Sequence, residues 1–180
     1  MKTIIIMMLI ILLSFVSSYG GWNSSHYERG VKFLEMNDYG RAEMEFNYYL
    51  NHPDVHRNDF GIAHFGKGLM FQKMGKYELA ISEFKMAVEN DMNLEAKVSD
   101  LAYTNMGGIY FKEKLYPEAV QAFSKAVESN PGSGSAHYWL GMSYLRSGDI
   151  EKAEKEAAEA KKLGIPFTAL SEGIKKLKQK

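Results

Sequence analysis

The chain has 180 residues, about one domain's worth of material, and its 22 basic side chains balance 22 acidic ones. That balance excludes the broad basic surface of a nucleic-acid binder, and the lack of cysteine excludes disulfides, thiolate metal sites, a thiol nucleophile and a cysteine-linked lipid anchor. Plentiful charged and aromatic residues with only 4 prolines describe a folded helical protein, not a disordered one.

The first element is the segment 1–20. Met1-Lys2 precedes residues 4–16, which are apolar apart from Ser14, and the small residues Ser17, Ser18, Gly20 and Gly21 follow. A positive start, a short apolar middle and a small-residue exit describe a secretory signal peptide. As a helix the apolar run reaches roughly 20 Å, short of the ~30 Å hydrocarbon core, so cleavage after Ser18 or Gly20 is expected over permanent anchoring. The alternative is an uncleaved anchor that uses residues 17–22 to reach the far interface. The expected location is therefore periplasmic or secreted, and membrane-bound only if the signal is retained. Asn23-Ser24-Ser25 matches a glycosylation sequon, a pattern that chance supplies readily.

Beyond this segment the chain repeats itself. With Gly107 as anchor, Tyr110 follows three residues on, Ala119 twelve, Phe123 sixteen, Ala126 nineteen and Pro131 twenty-four. Gly30 is followed at four of these offsets by Phe33, Ala42, Phe46 and Tyr49, with Pro53 one residue early. Gly68 is followed by Phe71, Ala80, Phe84 and Ala87, and Gly141 by Tyr144, Ala153, Ala157 and Ala160. The anchors are spaced 38, 39 and 34 residues apart. The extra residues fall near 56–60 and 93–99, where they either lengthen helices or form small loops.

This pattern resembles the tetratricopeptide repeat family, whose 34-residue unit carries a Leu-Gly pair, an aromatic, an Ala, a Phe and a terminal Pro. The resemblance covers residues 23–167. It implies an all-α fold, a right-handed α-solenoid of about four helical hairpins at 23–56, 61–94, 100–133 and 134–167. In each hairpin the Gly lets two antiparallel helices approach, with the equally small Ala twelve later opposite it, and the aromatic and Phe on either side. "KMGKYELA", "KEKLYPEA" and "RSGDIEKA" supply the turns. Pro117 suits the start of a helix, where its missing N–H is not needed, and Asp149 suits a helix cap. Two departures stand out. Arg29 and Lys67 precede their Gly where Met106 and Leu140 stand later, and Ala157 replaces Phe in the last copy, thinning the packing there.

The last element, 168–180, is expected to be a capping helix, since a stack of repeats exposes apolar surface at its end. Phe167, Leu170, Ile174 and Leu177 would form its apolar face, with Lys175, Lys176, Lys178 and Lys180 outside, solvated and favourable to the helix dipole. Binding of those lysines to an acidic partner or to lipid headgroups is the alternative.

No catalytic constellation stands out, so neither enzymatic activity nor a cofactor is expected. His26, His64 and His137 each sit four residues before an anchor and are read as structural fillers. His52 and His56, with Asp54 between them, have the spacing of a helical metal pair, but Pro53 interrupts any helix there. No metal is expected. Glu151, Glu154, Glu156 and Glu159 alternate with Lys in the manner of a solvated face.

The resemblance further implies a concave groove lined by the first helix of each hairpin. Its ligand-contacting positions fall on Tyr27, Val31 and Leu34, then Phe65, Leu69 and Gln72. Thr104, Gly108 and Phe111 follow, then Tyr138, Met142 and Leu145. Glu35, Lys73, Lys112 and Arg146 would form a largely basic rim. The positions lack the Lys and Asn set that grips a C-terminal carboxylate in one subfamily. An apolar floor with basic edges suits an amphipathic helix or an extended peptide with apolar anchors and acidic flanks. The competing expectation is that these side chains only pack against neighbouring helices. The expected role is an exported, non-catalytic adaptor or assembly factor that binds protein. Self-association as a structural scaffold is the alternative, or a membrane-anchored scaffold if the signal stays.

Overall fold

A turn of one kind follows every anchor glycine. Seven residues beyond it stands a residue with positive φ: Asn37 at 58°, Gly75 at 74°, Lys114 at 62° and Gly148 at 87°. At each turn two backbone bonds close the helix end. Asp38, Lys76, Leu115 and Asp149 donate N–H to the carbonyls of Phe33, Phe71, Tyr110 and Tyr144, each at 2.9 Å. The N–H of the positive-φ residue itself bonds three residues back, so otherwise orphaned carbonyls are satisfied by a left-handed cap. The next helix then starts at once. Asp38 and Asp149 accept from the N–H of Arg41 and Lys152, both at 3.1 Å, as N-caps do.

The computed structural model describes residues 21–51, 60–91, 98–166 and 168–179. Among these residues it contains nine α-helices and no strand: α1 (Gly21–Glu35), α2 (Tyr39–Asn51), α3 (Phe60–Lys73), α4 (Tyr77–Glu89), α5 (Val98–Lys112), α6 (Tyr116–Ser129), α7 (Gly134–Ser147), α8 (Ile150–Lys162) and α9 (Thr168–Lys178). Four hairpins (α1–α2, α3–α4, α5–α6, α7–α8) and a terminal helix give the all-α tetratricopeptide fold class expected from the repeat. Pro117 sits in the first turn of α6, as its chemistry requires. The segment 1–20, the insertions 52–59 and 92–97, and the pair His52 and His56 lie outside the described residues. Among the described residues, no helix is long and apolar enough to cross a membrane.

The chain divides between Val98 and Ser99 into two units, the first carrying α1 to α4 and the second α5 to α9. In both, the anchor glycine makes room for a ring. A Cβ at Gly30, Gly68 or Gly107 would lie 2.7, 2.5 or 2.8 Å from the ring of Phe46, Phe84 or Phe123. The group that claims the missing side chain is thus the Phe sixteen residues on, rather than the Ala twelve on. Ala42, Ala80, Ala119 and Ala153 are all fully buried as well. Each buried ring contributes about 2 kcal/mol of hydrophobic stabilisation.

The fourth hairpin solves the same problem differently. Where a Phe would stand it has Ala157, and a Cβ at Gly141 would instead meet Leu170 Cδ2 at 2.8 Å. Helix α9 supplies that leucine. Leu170 and Ile174 are buried with Leu145, Ala153 and Ala157 in one cluster. Gly173 of α9 in turn receives Leu145, whose Cδ2 would be 2.6 Å from an added Cβ. The missing ring is therefore replaced from outside the hairpin. The expected apolar face of α9 narrows to these two residues: Leu177 is exposed, and the side chain of Phe167 lies outside the described residues. Lys178 pairs with Glu154 of α8 at 2.6 Å, while Lys175 and Lys176 are exposed.

Candidate peptide-binding face

The three anchor-preceding histidines are tied to their hairpins by one repeated contact. His26, His64 and His137 each place Nδ1 against a Glu nineteen residues on, in the partner helix: Glu45 at 2.6 Å, Glu83 at 2.8 Å and Glu156 at 2.6 Å. The structural role expected for them stands, with a specific partner that the reading of single residues missed. The signal was present, because Glu recurs fifteen residues after Gly30, Gly68 and Gly141. Arg29 and Lys67, the apparent departures before the first two anchors, join the same carboxylates at 3.0 and 2.9 Å. Burial pushes the Glu83 carboxyl up, but hydrogen bonds and charge from His64 and Lys67 outweigh it and hold the group below its ordinary value. Glu45 is held low in the same way by Arg29 and His26. These carboxylates hold helix to helix.

The expected groove positions separate by unit. In the first unit Tyr27, Val31, Leu34, Phe65 and Leu69 are buried. Tyr27 packs on Phe46 and Tyr49 with centroids 5.9 and 6.0 Å away, and Phe65 packs on Phe84 at 5.6 Å. Burial pushes the Tyr27 hydroxyl pKa well above the phenolic value, and nearby Tyr49 adds to the shift. Here the packing alternative describes the side chains. They are core, because Gly66 lets α3 press onto the ring of Phe46: a Cβ at Gly66 would lie 2.7 Å from it. Gln72 is half-buried, and the expected rim residue Lys73 donates to the Leu34 carbonyl at 3.4 Å.

In the second unit the equivalent face stays open. Thr104, Phe111, Tyr138 and Met142 are half-buried, Lys112 and Arg146 are exposed, and Leu145 alone is buried. Gly108 is exposed, with open space where a Cβ would stand. The centre of the face is a residue that sequence reasoning passed over. Trp139 stands two before its anchor, the position of Gly66 in the first unit, and is 37% exposed. Its ring lies near-parallel to buried Phe123, 15° between planes and 6.5 Å between centroids. Phe111 and Tyr138 meet it steeply, at 68° and 82°, with centroids 5.4 and 5.3 Å away. Tyr116 adjoins Phe111 at 5.5 Å. Four rings of α5, α6 and α7 thus form one partly exposed aromatic surface.

Comparison with known proteins accords with this geometry. Residues 104–164, within the second unit, match the family model described as tetratricopeptide repeat. Those residues are tetratricopeptide repeat, and the chain has the tetratricopeptide-repeat fold. Among its relatives are the anaphase-promoting complex subunit CDC16 of Saccharomyces cerevisiae, 26% identical over 69% of this chain and 14% of that protein, and Hsp70-Hsp90 organizing protein 3 of Arabidopsis thaliana, 25% identical over 78% of this chain and 30% of that protein. The chain spans less than a third of the length of either relative. Among solved structures it is similar to YrrB, titled a tetratricopeptide-repeat protein with an unusual peptide-binding site, with a TM-score of 0.61 and 23% identity over 86% of this chain and 74% of that one. It is also similar to MamA AMB-1, with a TM-score of 0.65 and 15% identity over 87% and 81% of the two chains. At these identities the likeness to solved structures establishes the fold.

Proposed function

We propose that this tetratricopeptide-repeat protein is a non-catalytic adaptor or assembly factor that captures a segment of another protein on the aromatic face of its second unit. The observation that carries this reading is Trp139, left 37% exposed amid Phe111, Tyr116 and Tyr138 at a repeat position closed over by Gly66 in the first unit. Large aromatic side chains gathered in one half-exposed patch are the usual anchors of protein recognition. Exposed Lys112 and Arg146 at the end of the same helices favour an acidic flank on the ligand. Relatives named for organising Hsp70 and Hsp90 and a structural neighbour with a peptide-binding site support protein binding as the class of function. The apolar segment 1–20 supports work outside the cytoplasm.

The reading is tested by crosslinking the chain in its native envelope fraction and comparing it with Phe111→Glu. The charge should abolish the crosslinked partner while the helical circular dichroism is unchanged. Undiminished crosslinking would remove the aromatic face from the function. N-terminal sequencing of the mature chain tests export: a product that begins at Met1 or Lys2 in the membrane fraction rejects cleavage. Self-association is a second reading, favoured by Met44, Tyr48, Leu79 and Met86, which are exposed on α2 and α4 of the first unit. Sizing at several concentrations tests it, and a concentration-independent monomer rejects it.

A further inference from the structure

We infer that the segment bound at the aromatic face is a proline-rich stretch in the extended polyproline conformation. This narrows the proposed peptide binding to one ligand class and rests on that reading.

The rings touch one another. Centroid separations of 5.3 to 5.5 Å among Tyr138, Trp139, Phe111 and Tyr116 are direct aromatic contacts. Together they make one aromatic patch that presents rings rather than aliphatic side chains. Trp139 lies near-parallel to buried Phe123, and Phe111 and Tyr138 meet it steeply. Flat, rigid pyrrolidine rings fit such a surface, and a polyproline helix is already ordered before it binds, so little conformational entropy is lost.

Hydrogen bonding points to the same ligand. Among the described residues nothing pairs with the indole N–H of Trp139 or with the hydroxyls of Tyr116 and Tyr138. Three polar groups that can donate therefore border the apolar surface. A proline-rich segment complements them, since its residues lack N–H and leave their carbonyls free. An amphipathic helix offers no such acceptors, because its carbonyls are bonded within the helix.

The test titrates the purified full chain, carrying Trp22→Phe so that Trp139 alone reports, with two probes. One is a ten-residue proline peptide, and the other is an eighteen-residue amphipathic helical peptide with leucine anchors. The proline peptide should bind saturably and shift the Trp139 emission, whereas the helical peptide should not. By calorimetry on chains with intact Trp22, Trp139→Phe should weaken proline-peptide binding about fivefold by removing one donor, and Trp139→Ala at least twentyfold, with helicity preserved. Tyr48→Ala, in the first unit, should leave binding unchanged. Binding of the helical peptide alone overturns the inference and leaves peptide capture standing. Binding of neither probe overturns it too, and capture is then decided by the Phe111→Glu crosslink, which does not depend on ligand class. Proline binding indifferent to Trp139→Ala also overturns it, by placing the ligand elsewhere.

Discussion

The two units are built from the same repeat yet treat the same face in opposite ways. In the first, Phe46 lies between Gly30 and Gly66, and α3 closes over it with bare backbone. In the second, the matching ring, Phe123, lies near-parallel to the ring of Trp139, which stays 37% exposed. At one repeat position the first unit thus has bare backbone and the second a partly exposed ring. The ionic contacts differ in parallel. Arg29 and Lys67 give the first unit's carboxylates a basic partner beside the histidine, whereas Met106 and Leu140 hold those positions in the second unit as buried apolar residues. A tolerant repeat lets stability and recognition reside in different copies.

The most damaging way to probe the comparison is to fill the closed unit. Gly68→Val puts a branched side chain where a single Cβ would already stand 2.5 Å from the fully buried ring of Phe84. We expect a loss of about 3 kcal/mol or more from overpacking, read as a lower urea midpoint. Gly108→Val in the second unit meets open space and should be close to neutral, since valine is no poorer than glycine inside a helix. Equal losses would mean that the position of Gly108 is as closed as that of Gly68.

The substitution of Leu170 for a missing ring can be reversed. Leu170→Ala should cost about 3 kcal/mol, because the leucine is fully buried over Gly141. Ala157→Phe alone should also destabilise, by crowding the cluster that Leu170 occupies. Together the two changes restore the arrangement of the other hairpins. Their combined cost should fall short of the sum by at least about 1 kcal/mol. Strict additivity would show that α9 does not fill the place of the absent ring.

Most of the fold was legible because it is written in spacing. Gly, aromatic, Ala and Phe recur at fixed offsets, and the helices, their turns and the Asp149 cap follow from them. The expected face divides between the units, since Tyr27, Val31, Leu34, Phe65 and Leu69 are core in the first. Helical phase says which side chains share a side, but not how near the next helix comes. That distance depends on Gly66 and Trp139, which lie outside the repeat signature. Leu170 was legible as a capping residue, but its target was not, because the contact joins segments with no shared periodicity.

The ionic difference makes the first unit the acid-sensitive one. Glu45 and Glu83 are held below their ordinary value of 4.5 in the fold. Such groups add stability above that value and lose it as pH falls through the lower folded value. Glu83→Gln should therefore cost about 2 kcal/mol at neutral pH, leaving His64 and Lys67 without their carboxylate. The deficit should shrink at acid pH, as the natural chain loses the same contribution on passing through the lower folded value. Urea midpoints at the two pH values measure this, and a constant deficit would detach Glu83 from the acid response.

The finest test uses the turns that follow the anchor glycines, where each unit holds one glycine and one residue with a side chain in the left-handed region. Lys114 in the second unit has φ 62°, and Asn37 in the first has φ 58°. A lysine there brings its Cβ close to the backbone, at a cost of roughly 1–2 kcal/mol, whereas asparagine tolerates the conformation better. Glycine removes the strain but gives back part of the gain through the freedom of the unfolded chain. Lys114→Gly should thus stabilise by about 1 kcal/mol and Asn37→Gly by roughly half as much, seen as higher urea midpoints at unchanged slope. A loss of stability on Lys114→Gly would mean that lysine contributes more at that corner than its strained backbone costs.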